Sequence, residues 1–160
     1  MIVAYFESIK YVGHLLPIAF FRMFIGYYYF NFAMDRLRGD YLDLPVLASE
    51  LSQWLPSSTA PEWYKYFVET VVIPDWQYFA TMATVGYLAI GLSFLIGYLV
   101  RPLGLLGVFL SLNMAILANG DIAHMNKFLF VVNFTLVWLG SGRCLGLDYF
   151  FFKRKRGIWW

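Results

Sequence analysis

The first residue able to do chemistry is a cation in apolar surroundings. Arg22 stands inside LLPIAFFRMFIGYYYFNFAM, residues 15–34, and no apolar stretch of the chain holds an Asp or Glu to pair with it. A charge buried in hydrocarbon costs at least about 2.5–3.5 kcal/mol on insertion scales and ordinarily finds a partner. At about 1.5 Å per residue, Arg22 lies roughly 11 Å deep, Asn113 and Asn133 roughly 12–15 Å and Tyr87 roughly 20 Å from the same side. These four are expected to form one polar pocket, the candidate ligand-binding site; no catalytic residue and no metal ligand is assigned. Three arrangements stay open for Arg22. It snorkels along its own helix; it is clamped by Asn133, Asn113 and backbone carbonyls; or it holds an electronegative guest. A quinone carbonyl, a lipid phosphate or a sulfur oxyanion would serve, so quinone and bound lipid are the cofactor candidates.

The remaining inventory is thin. No GxGxxG, P-loop or metal-spaced cluster appears. His14 and His124 fall at opposite ends of their helices, about 30 Å of membrane apart, and cannot share one haem. Either one ligates a pigment singly or bonds locally at the interface. Cys144 is the single cysteine, which excludes an intrachain disulfide or a CxxC redox pair.

The elements that must position these residues are helices in lipid. The chain is 61% hydrophobic, 21% aromatic and 14% charged, against about 25% charged in ordinary soluble domains. A single domain of 160 residues could not hide so much apolar surface. The net charge of +2 is too small to suggest nucleic acid. The expected architecture is an all-α integral membrane protein, a four-transmembrane-helix bundle spanning approximately 15–34, 78–100, 103–118 and 122–140. Spans two and three form a hairpin turning at Arg101-Pro102. Ala89, Ser93 and Gly97 on one arm, and Gly107, Ser111 and Ala115 on the other, make small-residue ridges expected to face each other. The fourth span is the shortest apolar run and reaches membrane length only by starting near Ile122. MIVAYFESIK lacks a basic stretch and cleavage site, so the first helix is read as retained.

Between spans one and two, segment 35–77 crosses nothing. Apolar residues recur helically from Leu44 to Leu55, PSSTAP interrupts, and from Pro61 to Ile73 the residues Glu62, Lys65 and Glu69 oppose Trp63, Tyr66, Phe67 and Val71. Two amphipathic interfacial helices are expected, lying on the membrane or capping the bundle. With four spans both termini share a side. That side holds Lys10, Arg101, Arg143, Lys153, Arg154, Lys155 and Arg156; the other holds Arg36, Arg38, Lys65 and Lys127. The excess places both termini, with the basic tail 143–160, in the cytoplasm and segment 35–77 outside it. Trp54, Trp63 and Trp76 mark one boundary, Trp138, Trp159 and Trp160 the other. The KRKR run reads as a topology and lipid anchor.

The stretch PEWYKYFVETVVIPDWQYFATMATVGYLAIGLSFLIGYLVRPLG, then LNMAILANG, then GSGRCLGLD after the last span, resembles the DoxX/DoxD family of small four-helix membrane proteins, as does Arg22 with Gly26. The resemblance runs from Arg22 to Asp148. It implies a four-helix bundle and, for some members, a membrane subunit of thiosulfate:quinone oxidoreductase or another membrane redox assembly. Members usually carry a glutamate where Tyr87 stands here. A tyrosine, with a reference pKa near 10, relays protons poorly. Cys144 could carry a persulfide in thiosulfate chemistry, or is an inert juxtamembrane thiol. The expected function is therefore an accessory or structural subunit of a larger quinone-linked membrane complex, with membrane lipids and other subunits as partners. The alternative is a catalytic membrane subunit of a thiosulfate:quinone-type oxidoreductase.

Overall fold

The computed structural model describes residues 16–143 and 145–148, and all regular structure among them is helical. Helix α1 (Leu16–Arg38) accepts Pro17 in its first turn, where the missing N–H costs little. It ends on Arg36 and Arg38, which complement the negative end of the helix dipole. Short helix α2 (Val46–Trp54) tightens into a 3-10 turn at Leu55–Ser57 around Pro56. Helix α3 (Glu62–Phe67) runs on as a π-turn, Val68–Val72, closed by Ile73 N–H to the Val68 carbonyl at 2.9 Å. Pro74 stops it, having no N–H to continue the ladder.

Three long helices follow: α4 (Trp76–Ile96), α5 (Val100–Leu117) and α6 (Gly120–Leu139). The turn between α4 and α5 is Gly97–Leu99 rather than Arg101-Pro102. Gly97 at φ +73° is the left-handed C-cap of α4, and its N–H and that of Tyr98 both return to the Ser93 carbonyl, at 2.7 and 3.2 Å. Helix α5 begins at once, so Pro102 falls in its first turn. The sequence spans 78–100, 103–118 and 122–140 are thus each displaced a few residues toward the N-terminus, and the first helix extends four residues beyond Met34.

The four long helices run antiparallel in two tight pairs, and these pairs differ from the expected hairpin ridges. Helix α1 packs on α4, where a Cβ on Gly26 would lie 2.8 Å from the Leu95 nitrogen and one on Gly91 only 2.6 Å from the Phe30 nitrogen. Helix α5 packs on α6, where Gly107 lets the Asn133 side chain come within 3.0 Å of the same hypothetical atom. The α4–α5 contact is looser and passes over Gly86 to Leu106 and Leu110. Ser93 and Ser111 are buried, but their hydroxyls donate locally, to the Tyr98 and Gly107 carbonyls, each at 2.7 Å.

Two apolar clusters result. The bundle core gathers Ile25, Tyr29, Tyr87, Ile90, Phe94, Val132 and Leu136 from all sides. A second cluster at one end joins Leu47, Leu51, Leu55 and Val68 to Ala80 and Leu117, so α2, α3 and their turns cap the bundle. Asn119 ties this cap down, donating from Nδ2 to the Trp54 carbonyl at 3.0 Å and the Ser57 hydroxyl at 2.9 Å. The cap uses Tyr64, Val68 and Val72 inward, while Trp63, Tyr66 and Phe67 of the expected apolar face point out. Trp54 and Trp76 pack, partly buried, against the same cluster.

The polarity of the bundle is inverted. Arg22, Thr84, Ser111 and Asn133 are buried, while Phe24, Tyr27, Met82, Phe109, Phe128, Val131 and Phe134 are exposed around it. Helices α4, α5 and α6 are each long and apolar enough to cross a membrane, with mean hydropathies of 1.8, 1.7 and 1.4. Helix α1 is as long but carries Arg22, Tyr27–Tyr29 and Asn31, and is not among those three.

Candidate functional site

The four residues expected in one pocket occupy three places. Arg22 is fully buried at the end of the bundle away from the cap. Its Nε donates to the Phe94 carbonyl at 2.9 Å, Nη1 to Ser141 at 2.6 Å and Nη2 to Leu145 at 3.3 Å. Those carbonyls come from the last turn of α4 and the segment following α6, so one guanidinium joins three parts of the chain. Arginine suits this because its planar fork aims several donors in fixed directions. Asn113 and Asn133, proposed as clamps, are engaged elsewhere.

The segment around GSGRCLGLD completes that end. Asp148, buried, accepts from the Leu99 and Val100 N–H groups at 2.8 and 3.1 Å, supplying the cap that α5 lacks from its own preceding residue. Its own N–H returns to the Gly97 carbonyl at 2.9 Å. A side chain on Gly142 would collide with the Asp148 carboxylate, and one on Gly146 with the Gly97 backbone. Burial raises the Asp148 carboxyl above its usual range, against the N–H bonds from Val100 and Leu99 and the charges of Arg22 and Arg101.

Asn133 is buried in mid-bundle and donates from Nδ2 to the Tyr29 hydroxyl at 2.6 Å. Tyr29 stacks on Tyr87 with centroids 5.8 Å apart, and Phe32 meets Tyr87 edge-on at 5.2 Å. Asn113 belongs to the cap interface, where it accepts a hydrogen bond from the Tyr64 hydroxyl. Of the remaining candidates, His124 is exposed on α6; His14, Cys144 and the KRKR run lie outside the described residues.

Tyr87 leads instead to a cavity of about 220 Å³ between α1, α6 and the cap. Tyr28, Tyr29, Phe32, Trp54 and Tyr87 supply its aromatic walls, Met114 and Met125 soft apolar ones, and Arg36, Glu50 and Asn126 its polar groups. The Arg36 guanidinium carbon lies 4.0 Å from the Tyr41 ring centroid, 4.4 Å from Phe32 and 5.4 Å from Tyr87. Such contacts are worth about 0.5–1 kcal/mol when exposed and about 2 when desolvated. Arg36 Nη1 is buried without a hydrogen-bond partner. Glu50 faces the same cavity, yet its carboxylate forms no ion pair with Arg36. Burial raises the Glu50 carboxyl, with the Arg36 charge opposing. Burial also pushes the Tyr41 phenol up to about 12.

Arg36 and Glu50 were not singled out by sequence. Arg36 reads as a helix-closing topology charge, and Glu50 as the polar face of an amphipathic helix. The available signal is the spacing Tyr29, Phe32, Arg36, one helical face leading from the core aromatics to a cation. The fold thus defines an all-helical bundle of membrane-protein type with a buried arginine at one end and a cationic aromatic cavity at the other. No family profile, curated protein or solved structure matches the chain.

Proposed function

We propose that the chain is a DoxX-like integral membrane protein of four transmembrane helices, with both termini cytoplasmic in the cell's inner membrane, serving as an accessory or structural subunit of a larger quinone-linked complex. The observation that carries this reading is the use made of Arg22. The strongest hydrogen-bonding side chain in the bundle serves main-chain carbonyls of Phe94, Ser141 and Leu145, an arrangement that holds shape rather than substrate. Helix α1 supplies the fourth span: about 34 Å long, antiparallel to α4, with Phe20, Phe21, Phe24 and Tyr27 exposed on its outer face. Exposed apolar area on this scale is foreign to soluble monomers and marks contact with lipid or with other subunits. Exposed Trp63, Tyr66 and Phe67 suit a cap resting at the membrane boundary.

One observation favours the catalytic alternative. The resemblance expects an acid where Tyr87 stands, and Glu50 brings a carboxylate to the cavity that Tyr87 lines. Gentle purification separates the two readings. A stable larger assembly that dissolves on removing this chain supports the accessory role. Sulfur-dependent quinone reduction by this chain with a small soluble partner, lost in Glu50→Gln, overturns it in favour of catalysis.

A further inference from the structure

We infer that the cavity between α1, α6 and the cap binds the zwitterionic head group of an aminophospholipid, its phosphate on Arg36 and its primary ammonium between Glu50 and Asn126. The first argument is charge. Arg36 is held by the faces of Phe32, Tyr41 and Tyr87, makes no ion pair among the described residues, and lines the cavity. The one acid in that lining could have paired with it directly. Glu50 does not, so cation and anion stand apart across the cavity, each open to a group of opposite sign. A ligand carrying both signs satisfies both ends and leaves the site neutral.

The second argument is size. At about 220 Å³ the cavity falls below the roughly 300–1,000 Å³ of sites for drug-sized ligands. It accommodates a head group and not the chains attached to one. The third is what lies beside it. A more open groove of about 260 Å³ runs along α1 past Phe24, Tyr27 and Asn31 to Asp35 and adjoins the cavity across the stacked Tyr28–Phe32 pair. An acyl chain lies there naturally, which favours a lipid over a free zwitterion.

The fourth is depth. Arg36 is two residues from the end of α1, and Asn126 six residues into α6. At about 1.5 Å per residue both stand within roughly 9 Å of the helix ends, the level of the head-group boundary. The Asn126 amide nitrogen is committed to the Ile122 carbonyl at 2.8 Å, which leaves its oxygen as an acceptor. Acceptors from Glu50 and Asn126 select an ammonium that can donate over a quaternary one that cannot.

The inference rests on the membrane reading, and one experiment tells the two apart. The full chain is reconstituted into nanodiscs of phosphatidylcholine containing equal minor fractions of phosphatidylethanolamine and phosphatidylglycerol, re-extracted gently, and its retained lipid measured by native mass spectrometry. Retention of phosphatidylethanolamine over either competitor by about tenfold is expected, as one charge-assisted hydrogen bond allows. Glu50→Gln should abolish the preference over phosphatidylglycerol while the melting curve shows a folded protein, and Arg36→Lys should weaken retention of all phospholipids. Equal retention of the three lipids, or a Glu50→Gln variant that keeps the preference, overturns the site. A preference for phosphatidylcholine also overturns it, since aromatic faces would then be reading a quaternary ammonium. Soluble phosphoethanolamine that binds where the lipid does not would overturn the lipid as its source. A chain that stays monodisperse without detergent and refuses the nanodisc overturns the membrane reading instead.

Discussion

Arg22 and Arg36 are both arginines on α1, and they do opposite things. Arg22 spends its donors on carbonyls; Arg36 lies on rings and keeps one nitrogen unused. A lysine in place of Arg22 keeps the charge but cannot reach the Phe94, Ser141 and Leu145 carbonyls together. Each buried group left unsatisfied costs about 1–3 kcal/mol, so Arg22→Lys should lower the melting temperature in detergent clearly, and Arg22→Gln at least as much. Melting at the wild-type temperature in both would show that the three bonds contribute nothing. A second expectation concerns Glu50, whose folded carboxyl titrates above its ordinary value. The folded chain then binds that proton more tightly than the unfolded chain. Its contribution is fully present below about pH 4.3 and is lost as pH rises through the raised folded value. Wild-type stability should therefore fall relative to Glu50→Gln over that window, as melting curves of the two proteins at successive pH values will register. Arg22 was legible in the sequence because a charge in an apolar run is conspicuous. Its partners were not, because main-chain carbonyls have no letter. Arg36 was hidden for the converse reason: a basic residue closing a helix has an adequate explanation already.

At the level of helices, small residues told where backbones approach but not which ones. Gly26, Gly91, Gly104 and Gly107 all admit a neighbour. The ridge of Ala89, Ser93 and Gly97 suggested that α4 faces α5, because hairpin partners adjoin in sequence. The structure pairs α4 with α1 and α5 with α6, since Gly26 and Gly91 interlock two backbones and Gly97 is spent on the turn. Gly91→Ala should accordingly cost about 1–3 kcal/mol through overpacking against the Phe30 backbone. Ser93→Ala, which removes one local bond, should cost about 1 kcal/mol or less. Thermal denaturation of the two variants tests the α1–α4 pairing, and equal stability of both would show that Gly91 does not sit in a tight contact. The turn was misplaced for a related reason: Arg-Pro looks like punctuation, yet proline is equally at home in the first turn of α5.

For the molecule as a whole, composition and apolar runs disclosed the class and the order of elements, including a capping segment between the first and second long helices. Charge bias then predicts a side for each end. A cysteine introduced at Ser57 in the cap turn should react with an impermeant thiol reagent in intact cells, and one at Gly157 should not; reversed labelling would invert the topology. What could not be read was the cavity, because its walls come from α1, α4, α5, α6 and the cap, segments remote in sequence. Patterns along one helix cannot report a gap between several.

The Arg22 linkage also sets a timetable. Arg22 precedes Ser141 by 119 residues and Leu145 by 123. At about 5–20 residues per second of synthesis, the arginine waits roughly 6–24 s for its last two carbonyls to be made. Until then α1 lacks the bonds to Ser141 and Leu145, and the turn after α6 acts as a clasp that closes only once all four long helices have been made. A chain cut after Leu139 should reach the membrane yet be cleared by proteases faster than the full-length protein, and pulse-chase labelling will time the difference.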